Sequence, residues 1–198
     1  MRTGLLGGTF DPIHLAHLFI AECVRAGENL DRVLFVPVGD PAHRETHASS
    51  QERADMVWLA VADNPRFAVD STALEQPGPV YTADSLSLLR AKFPDDEFYF
   101  IAGADSLATT PWRRLDEVAQ QLAKFLVIDR AGVCSAEVDR VVKGLSPELR
   151  CRFEHVKLPR LDVSASELRA RIKSGLPIRY LTPTAVAEYI ERKNLYRS

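Results

Sequence analysis

The residues that could do chemistry gather near the start of the chain. The stretch LLGGTFDPIHLAHLFIAECVRAG sets His14 and His17 three residues apart, behind Gly7 and Gly8, where a helical pattern begins. Residues at that spacing are neighbours on one helical face, with Cβ atoms about 5–6 Å apart. The first turn of a helix carries positive potential, which disfavours an imidazolium unless an anion is present. Two cationizable groups there point to an anionic ligand. The glycines agree, because a turn without side chains lets backbone amides approach a phosphate. A zinc site is the weaker reading, since no carboxylate or cysteine supplies a third ligand at recognisable spacing. Asp11 and Pro12 have an ordinary alternative role as a helix N-cap and its first residue.

The elements that must position these groups follow from the apolar pattern. TGLL, RVLFVPV, RFAVD, EFYFIAG, KFLVIDR and FEHVKL read as strands, short and rich in β-branched or aromatic residues. Between them, residues 14–26, 50–63, 83–93, 114–122 and 135–145 read as helices. Ser49 with Glu52 forms a capping box for the second, and Gly27 is a stop for the first. Alternating strands and helices, with strands apolar almost throughout, predict an α/β fold: a doubly wound, Rossmann-like parallel sheet covered on both faces. After RLDVSAS two helical segments, 166–174 and 183–193, follow with no strand between them. The chain therefore reads as one domain over 1–198, a Rossmann-like core over 1–160 and a small helical C-terminal subdomain over 161–198. Ligands of such sheets bind beyond the carboxyl ends of the strands. That rule selects Gly7, Gly8, Thr9, Phe10 and Asp11 after the first strand and His43 and Arg44 after the second. It adds Gly103 and Asp105 after the fourth and Arg130 after the fifth.

Composition narrows the function classes. At 198 residues, 46% hydrophobic and 26% charged, the chain suffices for one well-buried core. A net charge of -2 provides no global attraction for nucleic acid, so a polyanionic ligand must be held by locally gathered cations. Cys23, Cys134 and Cys151 are odd in number and far apart, which fits neither a disulfide framework nor a Cys-x-x-Cys metal site and suits a reducing compartment. The start lacks the basic and long apolar regions of a signal peptide, and no segment reaches the roughly 20 apolar residues of a spanning helix. A cytoplasmic protein without nucleic-acid or membrane partners is expected; whether it forms a homo-oligomer is left open.

Two segments carry a resemblance. GGTFDPIHLAH is similar to the Gly-Gly-Thr-Phe-Asp-Pro-x-His-x-Gly-His signature of the nucleotidylyltransferase superfamily, and VSASELR resembles its second signature, Ile-Ser-Ser-Thr-x-Ile-Arg. Within the superfamily the chain most resembles the bacterial nicotinate mononucleotide adenylyltransferases. It has PAHR where they have Pro-Pro-His-Lys, YTADSL for Tyr-Thr-x-Asp-Thr-Leu, GADSL followed by Trp112, DRAG for Ser-Arg-Pro-Gly, and the ending IRYLTPTAVAEYIERKNLY. The resemblance implies adenylyl transfer from ATP to nicotinate mononucleotide with Mg²⁺, giving nicotinate adenine dinucleotide and pyrophosphate in NAD biosynthesis. Such a reaction needs no general base, because the attacking phosphate has a second pKa of about 6 and is ionised near neutrality. Its obstacle is bringing a dianion to a triphosphate, so positioning and charge neutralisation should dominate.

The resemblance further implies residue roles. Gly7, Gly8, Thr9 and Phe10 would line the loop between the two nucleotides; His14, His17 and Arg169 would be the catalytic groups. The histidines would bond to ATP phosphates and stabilise the transferring α-phosphate. Ser166 and Arg169 would hold the β- and γ-phosphates with Ser164 as local support, and Gly103 and Asp105 would contact the adenosine ribose. On the mononucleotide, Trp112 would stack on the nicotinate ring beside Tyr81, and Thr82 would orient that ring. Thr9, His43, Arg44 and Arg130 would serve its phosphate or loop closure. Asp105 as a helix cap and Trp112 and Tyr81 as core aromatics remain the structural alternatives. Ala16 replaces a glycine of the first signature and adds a methyl where a ligand approaches; Ala165 and Ser166 replace Ser and Thr of the second. Ala42 and Ala131 stand for prolines, and Arg44 for a lysine, which keeps charge but changes geometry. Mg²⁺ would arrive on phosphates and water rather than in a protein cage. Another adenylyl- or cytidylyltransferase, use of nicotinamide mononucleotide, or a non-catalytic nucleotide sensor are the rival readings.

Overall fold

The computed structural model describes residues 1–39, 45–74, 76, 81–109, 112–129 and 135–197. His43, Arg44 and Arg130 lie outside the described residues. Six strands form one parallel sheet: β1 (Arg2–Gly8), β2 (Arg32–Pro37), β3 (Phe67–Val69), β4 (Glu97–Gly103), β5 (Lys124–Ile128) and β6 (Phe153–Val156), in the order β3-β2-β1-β4-β5-β6. The order reverses between β1 and β4, where a doubly wound sheet opens its binding crevice.

Alternating residues explain why the strands are apolar throughout. Leu6, Val33, Phe35, Tyr99, Ile101, Leu126 and Ile128 point to one face and Leu5, Leu34, Phe98, Phe100, Phe125 and Val127 to the other. Helices cover both. The first face packs on α1 (Leu15–Gly27) and α2 (Ser50–Val61), the second on α3 (Thr82–Lys92), α4 (Ala104–Thr109), α5 (Leu115–Gln120) and α6 (Ser135–Lys143). A short α7 (Pro147–Arg150) precedes β6, and α8 (Ala165–Lys173) and α9 (Thr184–Arg192) close the chain. Leu168 of α8 and Val186, Tyr189 and Ile190 of α9 join the same apolar cluster as α1 and α2. Among the described residues, no helix is long and apolar enough to cross a membrane.

Local expectations differ from the structure in instructive ways. The capping box of Ser49 and Glu52 is present, with Ser49 N–H donating to Glu52 Oε2 at 2.9 Å. Gly27 is the last residue of α1 rather than its stop, and the left-handed turn falls on Asn29 (φ 51). The six-residue α4 and four-residue α7 carry too few periods to stand out in the sequence.

Candidate active site

Parallel pairing of β1 with β2 and β4 sets the strand ends at Gly8, Pro37 and Gly103 side by side. The glycines sit within β1 rather than in the turn that was expected of them. The turn falls on Phe10, whose φ of 51 reverses the chain and lays its ring across Gly8. A Cβ on Gly8 would come within 2.9 Å of that ring, so only glycine fits. Phe10 is buried and meets His17 edge-on at 5.1 Å and Phe35 at 6.0 Å. Its ring therefore packs edge-on against His17.

Asp11 and Pro12 are not the cap and first residue of α1, which starts at Leu15 with His14 as its N-cap. The Asp11–Pro12 bond is cis. Asp11, 5% exposed, accepts from the main-chain amides of His47 (2.9 Å) and Ala48 (3.2 Å) and from the Tyr196 hydroxyl (2.8 Å). Burial and the Asp11 carboxylate hold the Tyr196 hydroxyl well above the ordinary phenol range, so it remains a donor. Thr182 Oγ1 donates to Ile13 C=O at 2.8 Å, and Leu15 N–H donates to Leu181 C=O at 3.0 Å. Residues 11–15 are thus bonded from both sides.

His14 is 3% exposed, and its ring stacks on that of the half-buried His17 at 3.8 Å between centroids. The His14 main-chain N–H donates to His17 Nδ1 at 3.2 Å. A nitrogen that accepts carries no proton in the neutral ring, so the proton of neutral His17 sits on Nε2, a donor suited to a phosphate oxygen. Two positive rings at this distance would repel each other unless an anion lay beside them.

Arg169, in the first turns of α8, donates from Nη1 to Asp11 C=O at 2.6 Å. That bond spans 158 residues and brings the two resembling segments into one site. Ser164 caps α8 by accepting from Glu167 N–H at 3.2 Å, and its Oγ lies 3.2 Å from Ser166 Oγ. The N-terminus of α8 thus offers hydroxyls, a guanidinium and positive potential together. A cleft of about 460 Å³ runs between α1, the end of β5 and the segment before α8, with Ala16, Ile20, Asp129 and Ser164 on its wall. Ala16, where the signature has glycine, thus faces a cleft beside Ser164.

Gly103 ends β4, and a Cβ there would collide with Asp105 Oδ1, which folds back over it from the first turn of α4. Trp112 Nε1 donates to Ser106 C=O at 3.1 Å, and its ring meets Phe100 (5.9 Å) and Phe125 (5.5 Å) edge-on. Trp112 lines a second cleft of about 720 Å³ against α5, α6 and α7. Arg113 lies over the Tyr81 ring at 5.1 Å, and Arg114 Nη2 donates to Asp84 Oδ1 at 2.6 Å. These contacts tether the Trp112 loop to the start of α3, where Tyr81 precedes Thr82.

The sequence reading missed Arg53 and the buried role of Asp11. Arg53 is 0% exposed and donates to the carbonyls of Thr9 (2.7 Å), Val38 (2.8 Å) and Gly39. One guanidinium thus joins the loops after β1 and β2 and places a positive charge beside Thr9 and Gly39. The signal was available: Arg53 falls on the buried face of α2 with Met56, Val57 and Ala60. Among the described residues, no group of three or more His, Cys, Asp or Glu side chains could hold a metal ion.

Comparison with known proteins agrees with this geometry. The cytidylyltransferase-like family model matches residues 5–171. A probable nicotinate-nucleotide adenylyltransferase of Herpetosiphon aurantiacus is 43% identical over 198 residues, 98% of each chain. One of the same name from Roseiflexus sp. is 45% identical, covering 98% of this chain and 97% of its own. The solved nicotinic acid mononucleotide adenylyltransferase of Plasmodium falciparum, complexed with NaAD, shares the fold at a TM-score of 0.77 and 19% identity, covering 98% of this chain and 97% of its own. With its signature segments meeting at one site and relatives matching along nearly its whole length, the chain belongs to the cytidylyltransferase-like family and, within it, to the nicotinate-nucleotide adenylyltransferases.

Proposed function

We propose that the protein transfers the adenylyl group of ATP to nicotinate mononucleotide, forming nicotinate adenine dinucleotide and releasing pyrophosphate, in NAD biosynthesis. The bond from Arg169 to Asp11 C=O carries this reading, because it joins the His14–His17 stack and the α8 N-terminus in one cationic cradle. The mononucleotide phosphate oxygen attacks the α-phosphorus of ATP as the bond to the β-phosphate oxygen breaks, and pyrophosphate leaves with the electron pair. Negative charge builds on the α-phosphate oxygens and the leaving group, so fixed donors that meet it there lower the barrier. His17 Nε2–H and His14 meet the α-phosphate; Arg169 and Ser166, with Ser164 behind them, hold the β- and γ-phosphates. Gly103 and Asp105 take the adenosine ribose hydroxyls. Gly7, Gly8 and Thr9 give the phosphates room over the end of β1.

Trp112, Tyr81 and Thr82 receive the nicotinate ring, and His43, Arg44 and Arg130 serve the mononucleotide phosphate. Mg²⁺ enters with ATP, since a hard cation held by phosphates and water needs no cage of protein ligands; it supplies further neutralisation of phosphate charge. The scattered cysteines suit a reducing compartment, and we place the reaction in the cytoplasm.

Steady-state kinetics with ATP and Mg²⁺, comparing nicotinate and nicotinamide mononucleotides through pyrophosphate release, test the proposal. Preferred turnover of nicotinate mononucleotide is expected. ATP binding without pyrophosphate release from any mononucleotide would overturn it.

A further inference from the structure

We propose that Tyr196 is a positioning residue for adenylyl transfer: its hydroxyl bond to Asp11 holds the segment carrying His14 and, through the His14 N–H, the ring of His17. The inference rests on reading the cleft as an adenylyl-transfer site. Tyr196 lies beyond α9, third from the end of the chain, yet is only 7% exposed and belongs to the apolar cluster beneath α1 and α2. Asn194 (φ 53) and Tyr196 (φ 63) both take the left-handed conformation, which non-glycine residues adopt at a cost. The tail bends twice to turn this ring inward. A phenylalanine would fill the same apolar volume, so packing alone does not call for the hydroxyl. Its partner does: the Tyr196 Oη to Asp11 Oδ1 distance is 2.8 Å and joins positions 185 residues apart.

What Asp11 holds is the catalytic segment itself. Its carbonyl takes Arg169 (2.6 Å), Ile13 C=O takes Thr182 Oγ1 (2.8 Å), and Leu15 N–H reaches Leu181 C=O (3.0 Å). Between Ile13 and Leu15 stands His14, whose N–H fixes the His17 tautomer. Misplacing catalytic groups by about 1 Å can cost on the order of a hundredfold in rate. Removing the hydroxyl leaves Asp11 the amides of His47 and Ala48, so its carboxylate is not stranded and the fold should survive.

The test is Tyr196→Phe in the full-length protein, read by two measurements. Without ligand, hydrogen exchange at the His14 amide should accelerate about tenfold or more, while amides of β4 and β5 stay unchanged. In steady state, kcat should fall about ten- to a hundredfold with little change in KM for either substrate. Placed in a His17→Ala background, the same substitution should have a clearly smaller further effect on kcat, since one of the two rings it positions is gone. Unchanged exchange at His14, a raised KM at intact kcat, or an equal loss in the His17→Ala background would each overturn the proposal. Should Tyr196→Phe fail to fold, Thr182→Val, which removes the neighbouring bond to Ile13 C=O, carries the same expectations and reversals. Faster exchange at His14 in a protein that never releases pyrophosphate would defeat the transfer reading alone and leave the clamp supported.

Discussion

Around His14 and His17, contacts from Arg169, Leu181, Thr182 and Tyr196 close on residues 11–15 through bonds long in sequence separation, those of Thr182 and Tyr196 buried. Around Trp112, the ring is set by edge contacts to two core phenylalanines and by exposed cations that reach Tyr81 and Asp84. The first arrangement resists displacement, because several bonds hold the same five residues and the loss of one, at about 0.5–1.5 kcal/mol, leaves the others in place. The second is held to Asp84 more weakly, because exposed ion pairs are worth at most about 1 kcal/mol. Transition-state charge must be met by donors already in place, whereas a ring asks for an aromatic face. Under the proposed function, the more firmly held side would serve the chemistry and the other side substrate capture.

His17→Ala should break that contrast most severely: kcat is expected to fall about a hundred- to a thousandfold with ATP affinity nearly unchanged, as for loss of a donor aimed at developing charge. Equal losses in rate and affinity, by kinetics and calorimetry, would remove the distinction between the two sides. Trp112→Ala should raise KM for the mononucleotide by roughly ten- to a hundredfold, the usual worth of stacking a heteroaromatic ring, and leave the KM of ATP alone. An effect confined to ATP would show that the ring stacks elsewhere.

A pH titration sharpens the contrast at the buried Asp70, at the end of β3. Burial favours its neutral form, but the Lys92 ammonium at 2.7 Å and the Thr72 bonds outweigh it, holding the carboxyl below its ordinary value. The unfolded chain therefore binds the proton more readily. The stabilisation is fully present above about pH 4 and is lost as pH falls through the lower folded value. Asp70→Asn should lower Tm at neutral pH and flatten its fall in acid, as followed by circular dichroism. Arg114→Ala should have the smallest effect: the Asp84 pair is 40% and 48% exposed, so Tm should move by less than about 1 kcal/mol of stability allows. A clear rise in mononucleotide KM in that variant would show that the tether also holds Trp112 in place.

Much of the frame was legible because strands and helices imprint their periods locally. All six strands were readable, as were seven of the nine helices among the described residues, α4 and α7 being too short. The first segment pointed to an anion site from residue types alone, and the family resemblance placed Arg169 with it. The buried role of Asp11 was not legible, because Asp before Pro also fits a helix start and its partners at His47, Ala48 and Tyr196 are remote in sequence. The positive φ of Phe10, which turns its ring inward over Gly8, likewise leaves no local signal in the sequence.

The sequence by itself determined the alternation of elements, the apolar faces and the chemical types of the site residues, because each follows from near neighbours or a repeating period. Only the tertiary structure decided that His17 holds its neutral proton on Nε2, that Arg53 sits buried between the loops after β1 and β2, and that Tyr196 grips the first loop. Those outcomes depend on burial and on bonds between distant segments. Desolvation makes such bonds decisive in the folded state, and it leaves no periodic trace in the order of residues.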